Sequence, residues 1–155
     1  EFDIQGLSTR DKDYLNRVWH RLDPWPDVAR GLARLRRRFV IAALSNGNMA
    51  LLTNMAKRAA LPWDCILSSE LARHYKPDPQ VYQTAAEMLG LAPGQIGMVA
   101  AHIHDLRGAM AVGFKTIFVP RPLEYGPTGH PDPESDPAFD LVASDFCNLA
   151  EKLGA

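Results

Sequence analysis

The sequence is short of several things, and each shortage removes a class of protein. Its 155 residues hold only two cysteines, Cys65 and Cys147, far apart and in no metal-ligand spacing. That argues against a disulfide scaffold or a zinc module. It suits a reducing, cytoplasmic setting with both thiols as small buried apolar groups. The formal net charge is only -1, so no basic surface is on offer for nucleic acid or an anionic membrane. No apolar run approaches the ~20 residues needed to cross a bilayer. The amino end, Glu1-Phe2-Asp3, has no Met, no basic segment and no apolar signal stretch, and it reads as the middle of something longer. Internal repeats and low-complexity tracts are absent. What remains is an ordinary globular composition, 46% apolar and 23% charged, on a chain long enough for one domain with a proper core.

One stretch organises the rest: Phe39-Val-Ile-Ala-Ala-Leu44 followed by Ser45-Asn-Gly-Asn48. Six apolar residues without alternation predict a strand buried on both faces, the habit of parallel sheets flanked by helices. The polar cluster after it falls where a strand's carboxyl end meets a helix amino end. Open α/β sheets bind ligands there. Capping of the next helix by Ser45 and Asn48 is the alternative reading.

Around this stretch, strands alternate with helices. Leu15, Val18, Trp19 and Leu22 recur at helical spacing over 8–22. A second helix follows the Asp23-Pro-Trp-Pro-Asp27 corner, and Arg36-Arg37-Arg38 at its end reads as a solvated helix terminus. Further strands are expected at 63–67, 96–101, 116–119 and 139–143, with helices at 48–60, 79–90, 103–113 and 145–153. Asp78 is placed as N-cap, and Pro79 as the first helical residue. Residues 120–138 read as an irregular loop. The pattern predicts an α/β fold with a doubly wound parallel sheet. Right-handed crossovers gather Ser45, Asn46, Lys76 and Asp105 near one carboxyl rim. Hydroxyl and amide donors, an ammonium and a carboxylate converging there suit anion handling. The Lys could orient a carboxylate nucleophile and keep it ionised.

Read in order, Leu44-Ser-Asn-Gly-Asn48, Lys76-Pro-Asp-Pro-Gln-Val-Tyr82 and Asp105 resemble the haloacid dehalogenase-like hydrolase superfamily. Trp19-His-Arg-Leu22, Leu61-Pro-Trp-Asp64, Val99-Ala-Ala-His102 and Phe118-Val-Pro-Arg-Pro122 resemble its type II, (S)-2-haloacid dehalogenase branch. The resemblance implies a Rossmann-like core over 26–155, with residues 1–25 a remnant of a helical cap. In that family an Asp on the first strand attacks the α-carbon of a short 2-haloacid and expels halide, and water then cleaves the ester. By resemblance, Ser45, Lys76 and Asp105 are the catalytic set. Lys76 would pair with the nucleophile, and Asp105 would support Lys76 and the hydrolytic water. Asn46, His102 and Tyr82 would contact substrate, although Tyr82 reads equally as helix packing and His102 as a rim histidine bonded to backbone.

The sequence departs from the family in three respects. The Asp-x-x-x-Thr strand that carries the nucleophile is not found before Ser45, and the cap Arg is missing with it. This implies an amino-terminal truncation and an inactive chain. Ala100 and His102 stand where the family often has Ser and Asn. Ala101 stands where the magnesium-dependent phosphatases of the superfamily place a second acid, which favours metal-free, cofactor-free dehalogenation. The missing strand would lie centrally, so the strands at 39–44 and 96–101 are expected to pair directly or to accept a segment from another copy in a homo-oligomer. A superfamily phosphatase is the alternative enzyme. A non-catalytic, oligomerising remnant is the alternative without catalysis.

Overall fold

The computed structural model describes residues 6–130 and 136–155. The readings placed on Glu1–Asp3 and on the middle of the 120–138 loop fall outside these residues. The chain opens with α1 (Thr9–Val18), started by a capping box in which Ser8 and Asp11 satisfy one another's amides. After a 3₁₀ turn and the proline corner come α2 (Val28–Leu35), β1 (Ala42–Ser45), α3 (Met49–Ala59), β2 (Cys65–Ser68) and the short α4 (Ser69–Ala72). Then follow α5 (Pro79–Leu89), β3 (Gly97–Ala100), α6 (Ile103–Ala111), β4 (Lys115–Phe118), β5 (Leu141–Val142) and α7 (Phe146–Lys152). Asp78 and Asp145 cap α5 and α7, and Pro79 opens α5, as their residue types dictate. Among the described residues no helix is long and apolar enough to cross a membrane.

Every observed pairing is parallel, but the strands form two sheets: β1 with β2, and β3–β4–β5. The larger sheet shows why its strands lack polar alternation. Met98 and Phe118 pack with Tyr82, Leu106, Ala109 and Phe114 from the α5 and α6 side. Ile117 and Val119, pointing the other way, pack with Leu32, Leu35 and Leu149 from α2 and α7. Helices cover both faces, so both residue parities are apolar. Asp140 fastens the segment just before β5 to β4: its carboxylate accepts from the Thr116 amide, the Thr116 hydroxyl and Lys115 Nζ. These bonds, chiefly the Thr116 amide and then Lys115, hold its carboxyl below the usual range.

α2 and α7 are locked together at their amino ends. Asp27 does not cap α2. It takes a bidentate pair from Arg121, at 2.7 and 2.8 Å, and accepts the Phe146 amide of α7 at 2.9 Å. The Arg121 bond is the main cause that lowers the Asp27 carboxyl, against an opposing push from burial. Gly31 sits where a side chain would collide with Phe146, so the two helices touch through backbone.

Four expectations are corrected. The strand is not 39–44 but Ala42–Ser45, and Phe39 and Val40 are 42% and 66% exposed. β1 and β3 do not pair with each other; a slot separates the two sheets. The basic run is also more than a solvated terminus. Arg36 holds Asp64, and Arg34 and Arg38 donate to carbonyls at Ala155, Leu153 and Gly154. The cysteines are free and half-buried rather than fully buried.

Candidate active site

The carboxyl ends of β1 and β3 open onto one rim, and the side chains there form a connected set. Beyond β1, Asn48 caps α3 by accepting the Leu51 amide at 2.7 Å, while Glu70 takes the Met49 amide. Ser45 Oγ accepts the Gly47 amide at 3.0 Å. Of the two residues read as caps, Asn48 caps α3, whereas Ser45 accepts the Gly47 amide and shapes the turn.

Asn46 reaches the loop before α5. Its Oδ1 accepts the Lys76 amide at 2.7 Å, and its Nδ2 donates to the Lys76 carbonyl at 3.2 Å. The backbone that carries Lys76 is thus tied to the end of β1. The following Lys76–Pro77 peptide is cis. From there the side chain crosses to α6, where Nζ donates to Asp105 Oδ2 at 2.5 Å, with the two side chains only 13% and 8% exposed. One of three ammonium donors is used by this bond.

Asp105 is not the N-cap of α6. His102 holds that position, and Asp105 lies in the first turn, where a carboxylate is favoured by the helix dipole. Its second oxygen accepts the Tyr82 hydroxyl at 2.7 Å. Tyr82 is wholly buried in the core, so it does not face the rim as a substrate contact. It supports Asp105 from beneath. Burial first, then the hydrogen bond and charge of Asp105, keep the phenol protonated far above its ordinary value. A neutral Tyr donor and a charged Lys donor on opposite oxygens fix the carboxylate plane.

His102 is also at the rim, stacked on His104 with ring centroids 5.5 Å apart, and its Nε2 lies 3.1 Å from Glu124 Oε1. Among the described residues no cluster of three metal-ligating side chains occurs. The structure therefore connects Asn46, Lys76, Asp105 and Tyr82 directly, puts Ser45 beside them in the chain, and turns His102 toward Glu124.

Two residues escaped the sequence reading. Glu124 lies in the irregular loop, where no periodicity marks it. Gly108 did carry a signal: a glycine inside a helix sacrifices about 1 kcal/mol and asks for a packing reason. A Cβ there would stand 2.7 Å from the Tyr82 hydroxyl and 3.0 Å from Pro77, so α6 approaches this cluster through bare backbone.

Comparison with known proteins places the chain in a family. A family model described as haloacid dehalogenase-like hydrolase matches residues 3–113. The (S)-2-haloacid dehalogenase 4A of Burkholderia cepacia is 32% identical over 96% of this chain and 66% of its own length. An (S)-2-haloacid dehalogenase from Pseudomonas sp. strain CBS-3 is 35% identical over 77% of this chain and 56% of its own length. Among solved structures, an L-2-haloacid dehalogenase superposes with a TM-score of 0.92 at 45% identity, covering 96% of this chain and 64% of that one. A defluorinating L-2-haloacid dehalogenase gives 0.92 at 44%, covering 99% and 63%. The chain thus spans somewhat less than two thirds of the length of these relatives. With the parallel α/β architecture and the family model in agreement, the chain belongs to the haloacid dehalogenase-like hydrolase family.

Proposed function

We propose that the protein carrying this chain hydrolyses the carbon–halogen bond of short (S)-2-haloacids. A carboxylate attacks the α-carbon, halide leaves with the bonding pair, and water cleaves the resulting ester. The carrying observation is the Lys76–Asp105 pair, buried, braced by Tyr82 and tied to the end of β1 through Asn46. An ammonium held this way can also face an incoming carboxylate, keeping it ionised and aimed. Asp105 serves as its anchor and as an acceptor toward the hydrolytic water. Ser45 supplies a hydroxyl at the rim. His102, with Glu124 behind it, supplies a polar edge to the substrate. Asn46 and Tyr82 act as positioning residues, because their polar atoms are spent on Lys76 and Asp105.

Among the described residues the carboxylate hydrogen-bonded to Lys76 is Asp105. Asp105 is already committed to Lys76 and Tyr82, so these residues alone are expected to release no halide. The two free thiols suit a reducing compartment such as the cytoplasm.

The test is halide release from (S)-2-chloropropionate by the complete protein, alongside phosphate release from p-nitrophenyl phosphate with magnesium. The reading expects halide release without added metal, and its loss by at least about a hundredfold in Lys76→Ala, as befits removal of a charge that acts in the transition state. Magnesium-dependent phosphate release without halide release would replace it with a phosphatase.

A further inference from the structure

The corner between β2 and α4 reaches across to the turn that leaves β1. The last residues of the two strands, Ser45 and Ser68, stand side by side in the parallel register. Ser68 closes an apolar strand and is only 2% exposed, a place where a hydroxyl needs a partner. Its Oγ donates to the Gly47 carbonyl at 2.7 Å and accepts the Glu70 amide at 3.1 Å, so its proton is spent on the turn. Glu70, two residues on, accepts the Met49 amide at 2.7 Å with Oε2. The Gly47 amide meanwhile goes to Ser45 Oγ at 3.0 Å. The backbone from 47 to 49 is thus held at three points, two of them from the neighbouring strand and helix.

Asn46 sits between these fixed points. On one side Ser45 lies in the β1–β2 ladder, and on the other Gly47 is held by its amide and its carbonyl. The Asn46 carboxamide takes both backbone groups of Lys76, a contact that tolerates little displacement because two bonds must align at once. Capping of α3 would by itself account for Glu70, since Met49 is the first residue of that helix and a carboxylate is favoured there. It does not account for Ser68, whose bond goes to a carbonyl ahead of the helix.

We propose that Ser68 and Glu70 are positioning residues for Lys76. They fix the 47–49 backbone, this fixes the aim of Asn46, and Asn46 sets the backbone from which the ammonium extends. The consequence for catalysis rests on the dehalogenase reading of Lys76, whereas the mechanical linkage does not.

The experiment reads the complete protein in two ways: halide release from (S)-2-chloropropionate, and hydrogen exchange of the Lys76 amide by NMR. Glu70→Ala and Ser68→Ala should each lower kcat by at least about tenfold with KM within about twofold, the signature of a displaced group that acts in the transition state. Exchange of the Lys76 amide should quicken by at least about tenfold in both, while the Val119 amide, bonded to the Ala100 carbonyl, stays as it was. Glu70→Gln, which keeps an acceptor for the Met49 amide, should bring both readings back to within about twofold of the parent. Leu149→Ala empties a buried site in α7; it should lower the melting temperature more than either alanine variant and leave kcat unchanged. Three outcomes would overturn the proposal. One is unchanged Lys76 exchange in either alanine variant. Another is faster exchange with unchanged kcat. The third is Glu70→Gln failing as Glu70→Ala does, which assigns the effect to the charge of Glu70 and not to its bond. A parent that releases no halide refutes the dehalogenase reading, and the Lys76 amide alone then decides whether the linkage exists.

Discussion

The two sheets of this molecule are built from similar apolar strands and end up in different states. In the three-strand sheet, β4 is buried from Thr116 onward, and helices close both faces over Leu106, Ala109, Leu149 and Ala150. In the two-strand sheet every residue of β1 is only half-buried, and α3, which follows it, has no fully buried residue. Composition does not explain the contrast, since Ala42-Ala-Leu44 is as apolar as Thr116-Ile-Phe118. Neighbours do. β4 is paired on both edges, whereas β1 is paired on one. An apolar run thus states what a segment can bury, and its partners decide how much it does bury.

Perturbing the two halves in parallel gives the largest expected effect. Leu106→Ala removes a side chain that is wholly buried in the complete half and should cost about 3 kcal/mol. Leu52→Ala, beside the slot, should cost about 1 kcal/mol, since its side chain is already half-exposed and leaves little new cavity. Urea titration of both variants checks the ratio, and equal losses would erase the distinction between the halves.

Next in size is the clamp between α2 and α7. Arg121→Ala strands the Asp27 carboxylate and is expected to cost about 2 kcal/mol, below the full penalty of a deeply buried pair because both side chains keep some exposure. The folded carboxyl of Asp27 is depressed, so its contribution is intact above about pH 4, the ordinary carboxylate value, and is lost as pH falls through the lower folded value. Stability curves of the parent and of Asp27→Asn should converge across that acid window.

Gly108→Ala tests the rim from the complete half. Helix propensity alone favours Ala by about 1 kcal/mol, yet the new methyl meets the Tyr82 hydroxyl, so the net change should be a loss of about 1–2 kcal/mol. Thermal denaturation of this variant and of Gly108→Ala/Tyr82→Phe reads the clash directly, since the double variant should recover part of the loss. The smallest effect concerns Asp64, whose carboxyl accepts the Ile41 amide and Arg36. Asp64→Asn should weaken the start of β1 only slightly, visible as faster exchange of the Ile41 amide.

Much of this was legible beforehand. Period and punctuation located nearly every element. Small polar residues after two apolar strands located the rim, because topology converts chain order into proximity there. Lys76 and Asp105, individually bland, become a pair only through that conversion. What stayed illegible depends on three-dimensional neighbours. The exposure of Phe39 and Val40 follows from where pairing with β2 begins. Tyr82 looks amphipathic in sequence, and only the packing of α5 under α6 turns its hydroxyl inward. The Asp27–Arg121 clamp spans 94 residues of sequence, and no local pattern announces it.

The double hydrogen bond between Asn46 and the Lys76 backbone acts as a splint across two otherwise independent loops. A force applied at the tip of the first strand is transmitted to the ammonium without passing through any side chain of the core. The placement of the charge is therefore set as much by a neutral carboxamide as by the carboxylate it touches. Substitutions at Asn46 would be felt by Lys76 even though the two side chains share no bond.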